Sequence, residues 1–168
     1  MATTMAQALA ERIRYQTTNG EKVLQAAGDQ SGAVFGNPQD VLSVRGNVSD
    51  IALTNQIWLL DAIKAGALQG TLPAELNKPR PNSVEAAVEF LGPRDTDSAE
   101  QALARLRQVN NQIASMVQGL PDSALDKPVD VTFYGQKSLR DMLFAIIEHG
   151  ALHLGQAWGI LKGKGIGG

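Results

Sequence analysis

The sequence predicts an all-α protein, a four-helix bundle with a long crossover connection. Four separate segments carry apolar residues at the spacing of a helix face, and a long proline-containing connection over residues 67–97 separates the second segment from the third. The β-branched runs that a parallel sheet requires are missing. A chain of 168 residues has the usual size of one domain, so we expect a single bundle domain over residues 1–168.

The first two predicted helices begin at polar residues that can cap a helix. The first starts at Thr4 and continues to about residue 27, and the second starts near Asn47 or Ser49 and continues to about residue 65. Residues 28–46 between them contain Gly, Asn and Pro and are predicted to form a loop. The predicted inner faces are Met5, Leu9, Ile13 and Val23 in the first helix, and Val48, Ile51, Ala52, Leu59 and Ala62 in the second.

The third and fourth predicted helices follow the long connection. The third opens at Thr96 or Ser98 and continues to about residue 118, and the fourth follows Ser138 and continues to about residue 162. The predicted inner faces are Ala102, Leu103, Leu106, Val109, Ile113 and Val117 in the third helix, and Leu139, Met142, Leu143, Ile146, His149, His153, Ala157 and Ile160 in the fourth. Residues 83–91 favour one short helix, and residues 129–135 favour an extended segment against the bundle.

Composition argues against several classes of function. The chain has no cysteine, so a disulfide framework and a thiolate nucleophile are excluded. A formal net charge of −2 and an aromatic content of 5% argue against a basic nucleic-acid interface and base-stacking platforms. No apolar run approaches the ~20 residues that span a bilayer, and no basic segment with a following apolar run marks a secretory signal. We therefore expect a cytoplasmic protein that binds neither nucleic acid nor membranes.

His149 and His153 are the strongest functional signal in the chain. They are its only histidines, and a separation of four residues places both side chains on one face of the fourth predicted helix. That face also carries Ile146 and Ile160, so we expect the imidazoles to point toward the core. Two such imidazoles can bind one divalent metal ion, with further ligands from another helix and from water. The alternative is a pair of core histidines bonded to carbonyl or carboxylate groups.

The surroundings of the two histidines resemble a known signature. Residues 143–156 contain the pattern His149-x-x-x-His153-x-Gly155-Gln156, and a glycine-rich end with Ile166 follows. This pattern resembles the last helix of the DinB-like (damage-inducible B) four-helix-bundle metalloproteins. The predicted helix lengths, the central connection and the loop before the last helix are similar along the whole chain. The name of the family records induction by DNA damage and implies no contact with DNA.

The resemblance implies a cofactor, one divalent metal ion such as zinc, nickel, iron or manganese, which most members bind through three histidines. Two of these correspond to His149 and His153. The third lies early in the second helix, where this chain has Asp50. Two imidazoles and one carboxylate suit zinc or ferrous iron, so Asp50 is the third candidate ligand. Asp50 is otherwise a first-turn residue that favours the helix dipole, in which case the site is lost.

Two polar residues are candidates for the surroundings of the metal ion. Asn55 lies on the inner face of the second predicted helix, and Gln156 lies one turn beyond His153. Either side chain could line the pocket or orient a ligand. As alternatives, Asn55 is a buried amide bonded to a neighbouring helix, and Gln156 is a polar packing residue at the mouth of the bundle.

The resemblance implies two functions of different classes. The first is a metal-dependent enzyme, a thiol transferase or hydrolase, whose partner is a small molecule or a thiol. An open metal position favours it, because a bound ion lowers the pKa of a coordinated water or thiol. The second is a non-catalytic bundle with a degenerate metal site that binds a small ligand or a protein partner. The missing third histidine favours this alternative.

The resemblance also implies a homodimer formed through apolar helix faces. Ile57, Trp58 and Leu60 place apolar residues outside the inner face of the second predicted helix. They form either a dimer patch or a small cluster under the 67–97 connection. Trp158 is likewise predicted to be a core or dimer-contact residue.

Overall fold

The computed structural model describes residues 3–34 and 42–166. In these residues the chain forms α1 (Met5–Ala27), α2 (Val44–Lys64), α3 (Val84–Leu91), α4 (Ala99–Val117) and α5 (Leu139–Gly163), with strands β1 (Pro128–Val131) and β2 (Gly135–Ser138). Short 3-10 turns lie at Gly28–Gln30 and Asp122–Asp126. The predicted helical class is therefore confirmed, and the structure adds a small antiparallel sheet.

The four long helices share one apolar core. Helices α1 and α2 each pack against both α4 and α5, whereas α1 and α2 touch each other much less. Fully buried residues from each helix meet in this core, among them Ile13, Ile51, Leu106 and Met142. Burial of each such side chain contributes about 1.5–3 kcal/mol. This packing places α2 directly beside α5, which carries the two histidines.

Three of the long helices start where the sequence predicts. Thr4 caps α1 and Ser98 caps α4, each in a capping box with the glutamine three residues further on. Ser138 caps α5 by accepting a hydrogen bond from the backbone N–H of Asp141 at 3.0 Å. Each cap satisfies a backbone donor that the helix itself leaves free, which contributes about 1 kcal/mol.

Helix α2 begins one turn earlier than predicted. Its N-cap is Ser43, whose Oγ accepts a hydrogen bond from the backbone N–H of Gly46 at 3.0 Å. Asn47 and Ser49, the predicted caps, already lie inside the helix. The glycine weakens the helical pattern in the first turn, which hid the true start. Residues 35–41 of the predicted loop lie outside the described part of the chain.

The predicted inner faces are buried with few exceptions. Met5 is 43% exposed because it is the first residue of α1, and Leu103 is partly buried. Ile57, Trp58 and Leu60 are all buried within the chain. Other parts of the chain cover them, for Trp58 the backbone of Thr132 and the rings of Tyr134 and His149, so they are not free to form a dimer patch.

The predicted extended segment is a β-hairpin. Strands β1 and β2 pair antiparallel, with Val131 opposite Gly135. The prediction of an extended segment over residues 129–135 was therefore right for residues 129–131 and for Gly135, and residues 132–134 form the turn between the strands. Trp58 Nε1 donates a hydrogen bond to the carbonyl oxygen of Thr132 at 3.0 Å, which holds this turn against α2.

Over the described ranges, 3–34 and 42–166, none of the helices combines the length and the apolar character that a membrane crossing requires.

Candidate metal centre

Three candidate ligands meet where α2 packs against α5. Oxygen Oδ2 of Asp50 lies 3.3 Å from Nε2 of His149 and 3.1 Å from Nε2 of His153. The ligand atoms of the three residues all lie within 4.8 Å of one another. The structure thus brings together a carboxylate and two imidazoles that are about a hundred residues apart in the sequence.

The separations between these atoms suit a metal ion. Two ligand atoms at about 2.0–2.1 Å from zinc are about 3.3 Å apart at a tetrahedral angle and about 2.9 Å apart at a right angle. The observed separations of 3.1 and 3.3 Å between oxygen and nitrogen fall in this range. The carboxylate and either imidazole therefore need little movement to bind the same ion.

The orientation of α5 follows from its sequence. His149 and His153 are one turn apart, and their ring centroids lie 4.5 Å from each other. Gly150 between them is buried, and the side-chain amide of Gln16 on α1 occupies the space that a Cβ would need. Gln16 Nε2 also donates a hydrogen bond to the carbonyl oxygen of Ile146 at 2.8 Å. This close approach of α1 fixes the face of α5 that turns toward Asp50.

Asn47 orients the ring of His153. Its Nδ2 donates to the carbonyl oxygens of Leu42 at 3.2 Å and Ser43 at 2.9 Å, which leaves its Oδ1 2.9 Å from His153 Nδ1. Because Oδ1 can only accept, Nδ1 of His153 carries the hydrogen in this contact. In the neutral ring, Nε2 then has the lone pair and faces Asp50. This is the tautomer that a metal ion needs.

His149 is held by aromatic packing. Its ring meets the ring of Trp58 edge-on, with centroids 5.5 Å apart and an interplanar angle of 68°. Trp58 in turn contacts the ring of Tyr134 on the hairpin at the same centroid distance of 5.5 Å. Nδ1 of His149 is buried and has no hydrogen-bond partner within the described residues. The hairpin therefore supports this imidazole only through the two aromatic rings.

The charge of Asp50 is stabilised by its neighbours. Without a metal ion, burial raises the pKa of its carboxyl group, but hydrogen bonds that His149 and His153 donate and the positive charges of His153 and Arg94 lower it more. The resulting pKa lies well below the usual range of an aspartate. Asp50 is consequently ionised at neutral pH, which is the form that binds a metal ion.

Arg94 approaches the other oxygen of Asp50. Its Nε lies 2.8 Å from Oδ1, so the two residues form an ion pair. Nε nevertheless has no partner with hydrogen-bond geometry, because its N–H does not point at that oxygen. We therefore describe the contact as electrostatic. Oδ2 remains the oxygen that faces both imidazoles.

Asn55 and Gln156 lie in different surroundings. Asn55 is fully buried and donates hydrogen bonds to Asn110 at 2.8 Å and to Gln16 at 3.5 Å, which joins α2 to α4 and α1. Gln156 is exposed. Within the described residues, neither side chain forms a hydrogen bond with His149 or His153. A role for either residue beside the metal ion stays a prediction.

Sequence reasoning missed two residues of this site. Asn47 was considered only as a helix cap, although its position one turn before Asp50 places both on one face of α2. Arg94 lies in the connection before α4, where the sequence has no periodicity to indicate which side chains point inward. That connection is held on α2 by Asp95, which accepts a hydrogen bond from Ser43, among other contacts.

Fold and site together define a class: a helical protein with a candidate metal centre of two histidines and one aspartate. A family model described as DinB superfamily matches residues 37–157, which is most of the chain and includes all three candidate ligands. The chain belongs to the DinB superfamily, as the resemblance in the last helix predicted. Searches among curated proteins and among solved structures gave no match.

Proposed function

We propose that the protein is a metal-dependent enzyme that acts on a small molecule as a thiol transferase or a hydrolase. Asp50, His149 and His153 bind one divalent metal ion in this proposal. The observation that carries it is the position of Asp50 Oδ2 within 3.3 Å of both Nε2 atoms. Asp50 therefore takes the place that a third histidine has in most members of the family.

The chain supplies three donors, and its own contacts orient two of them, Asp50 and His153, for a metal ion. Three protein ligands leave at least one position for water or substrate, as in catalytic zinc sites. A bound divalent ion would lower the pKa of a coordinated water or thiol and so provide a nucleophile at neutral pH. Asn47 holds the tautomer of His153, and Arg94 leaves Oδ2 of Asp50 free for a single bond to the ion.

The donor set favours zinc or ferrous iron over manganese. Two imidazoles and one carboxylate form the ligand set of several catalytic zinc sites and of the ferrous facial triad. Manganese prefers more oxygen donors than this group of residues offers.

The alternative is a non-catalytic bundle with a degenerate site. One observation favours it: Asp50 also satisfies its charge without a metal ion, through Arg94 and through imidazoles that hold a proton. In that case the cluster is a buried ion pair, and the protein binds a ligand or partner without metal chemistry.

Metal content separates the two functions. Elemental mass spectrometry of the protein purified without a histidine tag should find nearly one zinc, iron, nickel or manganese per chain. His153→Ala should lose this metal. Glu148→Gln is the matched control, because Glu148 is exposed and lies about 100° around the helix from His149, so its substitution should retain the metal. Absence of metal from the wild type, even after reconstitution, would leave only the non-catalytic alternative.

The arrangement of the helices supports the predicted bundle with a crossover. In this proposal α1, α4, α2 and α5 follow one another around the core, which agrees with the pairs of helices that touch. The chain between α2 and α4, which includes α3, then forms the long crossover connection.

We also propose a homodimer, formed through the outer face of α5 and not through α2. Leu152 is 59% exposed and Trp158 is 37% exposed, and Gly155 and Gly159 between and beside them allow close approach of a second helix. Leu152→Glu should convert a dimer to a monomer in size-exclusion chromatography with light scattering. Val88→Glu, at an exposed position of α3, should leave the dimer intact. A monomeric wild type would contradict this proposal.

A further inference from the structure

Arg94 is more exposed than any of the three candidate ligands. It is 30% exposed, compared with 9% for Asp50, 16% for His149 and 14% for His153. Its Nε contacts Oδ1 of Asp50, the oxygen that does not face the imidazoles. Of these four side chains, solvent therefore reaches Arg94 most readily.

Nε of Arg94 is a hydrogen-bond donor without an acceptor in the part of the chain that the structure describes. Its contact with Asp50 lacks the direction of a hydrogen bond. Arg80 is different, because it bonds both the buried carboxylate of Asp61 and the carbonyl oxygen of Asp130. An arginine that serves only to stabilise a buried carboxylate uses its donors as Arg80 does.

The charges near Arg94 favour an anion. The two acidic residues that follow it in the chain have other partners: Asp95 accepts from Ser43, and Asp97 bonds Ser49 at 3.1 Å and Arg105 at 3.3 Å. Arg105 offsets the charge of Asp97, whereas Ser43 is neutral and leaves the charge of Asp95 in place. With a divalent ion bound and both imidazoles neutral, the ion and Arg94 together still outweigh the negative charges of Asp50 and Asp95.

We propose that Arg94 binds the substrate through an anionic group and that the substrate is a small carboxylate. This inference rests on the proposed function, since it assigns a substrate class to the same site. A carboxylate is planar and matches the guanidinium with two parallel hydrogen bonds. Held on Arg94, the carboxylate places the rest of the substrate next to Oδ2 of Asp50 and the imidazoles.

Cobalt(II) substitution tests this assignment without an assay for activity. The visible absorption bands of the cobalt-loaded protein report on ligands near the ion, and propionate serves as the probe. We expect propionate to change the spectrum saturably and propionamide, which lacks the charge, to have no effect. Arg94→Gln should weaken propionate binding by about tenfold to a hundredfold, the contribution of charged hydrogen bonds. Arg107→Gln, which removes a surface arginine paired with Glu21, should bind propionate like the wild type.

The other possible results would contradict the role of Arg94, the carboxylate class of the substrate or the proposed function. Equal propionate affinity in Arg94→Gln and wild type, or no propionate binding by the cobalt-loaded wild type, would overturn the role of Arg94 and leave the proposed function intact. Tighter binding of inorganic phosphate than of propionate would overturn the carboxylate class. A wild type that takes up no cobalt would overturn the proposed function and this inference with it.

A second variant covers the case in which Arg94→Gln fails to hold cobalt. Arg94→Lys keeps a positive charge beside Asp50 but lacks the planar pair of donors. We expect it to retain cobalt and to bind propionate more weakly than the wild type does. Wild-type propionate affinity in Arg94→Lys would overturn the inference. Loss of cobalt from both variants would overturn it too, since Arg94 would then act by holding Asp50.

Discussion

Two aspartates of α2, Asp50 and Asp61, are both buried, but they contact side chains of different kinds. They are eleven residues apart, about three helical turns, and are 6% and 2% exposed. Asp61 accepts hydrogen bonds from the Arg80 guanidinium, from Thr132 Oγ1 at 3.1 Å and from Thr132 N at 2.7 Å. Both of its oxygens are therefore bonded to donors that keep their hydrogens at neutral pH.

Asp50 has partners of another kind. Its Oδ2 faces two imidazoles, which can lose their protons and offer lone pairs instead. A metal ion can replace those protons, whereas nothing can replace the donors around Asp61 without breaking the fold. Burial of a carboxylate therefore does not mark a functional site by itself. The chemistry of its partners decides whether the carboxylate stabilises the structure or remains available for a ligand.

The largest expected effect is on stability at Asp61. Asp61→Asn removes the charge that compensates Arg80 and turns an amide donor toward donors of Thr132, so the free energy of unfolding should fall by about 3–5 kcal/mol. Urea denaturation of the metal-free protein measures this loss. Metal content per folded chain should be unchanged. A loss below about 1 kcal/mol would contradict the structural role of this carboxylate.

The second effect is on metal affinity at Asp50. Asp50→Asn removes the only charged ligand of the three, so affinity should fall more than the roughly 10- to 100-fold typical when a residue that only orients a ligand is lost. Competition with a chromophoric chelator measures the change. Its metal-free form should lose less stability than Asp61→Asn, because the imidazoles around Asp50 can become neutral. Unchanged metal affinity would remove Asp50 from the ligand set.

The third effect concerns Asn47, which contacts a candidate ligand, and Asn55, which does not. Asn47→Ala removes the acceptor of His153 Nδ1 and should weaken metal binding by about 10- to 100-fold. Asn55→Ala is the control, because its hydrogen bonds join α2 to α4 and α1. It should lower stability and leave metal affinity close to the wild-type value. Isothermal titration calorimetry distinguishes the two variants, and the reverse ranking would contradict the assignment of Asn47.

The smallest effect is expected at the hairpin. Thr132→Val removes the hydroxyl donor to Asp61 but keeps the backbone N–H bond and the shape of the side chain. Stability should fall by about 1 kcal/mol, the net contribution of one hydrogen bond. Thermal unfolding followed by circular dichroism measures it. A loss as large as that of Asp61→Asn would indicate that the hydroxyl bond, and not the ion pair, holds the hairpin on α2.

Much of the fold was predictable because its signals are local. A helix start depends on a capping residue next to it, as at Thr4, Ser98 and Ser138. The buried face of each helix depends on the spacing of apolar residues within that helix. The start of α2 was misplaced by one turn because Gly46 interrupts that local signal. The sequence alone left the apolar residues of α2 around Trp58 as either a dimer patch or a buried cluster, and the contacts of Trp58 with Thr132, Tyr134 and His149 show that it is buried within the chain.

The sequence by itself determined the helical class, the shared face of His149 and His153, and the position of Asp50 early in the second helix. These follow from helix geometry and from residue spacing, which need no knowledge of other segments. Only the tertiary structure decided that Oδ2 of Asp50 meets both imidazoles and that Asn47 and Arg94 join them. Those contacts depend on how α5 is rotated about its axis where it packs on α2, and on where the connection that carries Arg94 lies. Packing between segments distant in the sequence determines both of these.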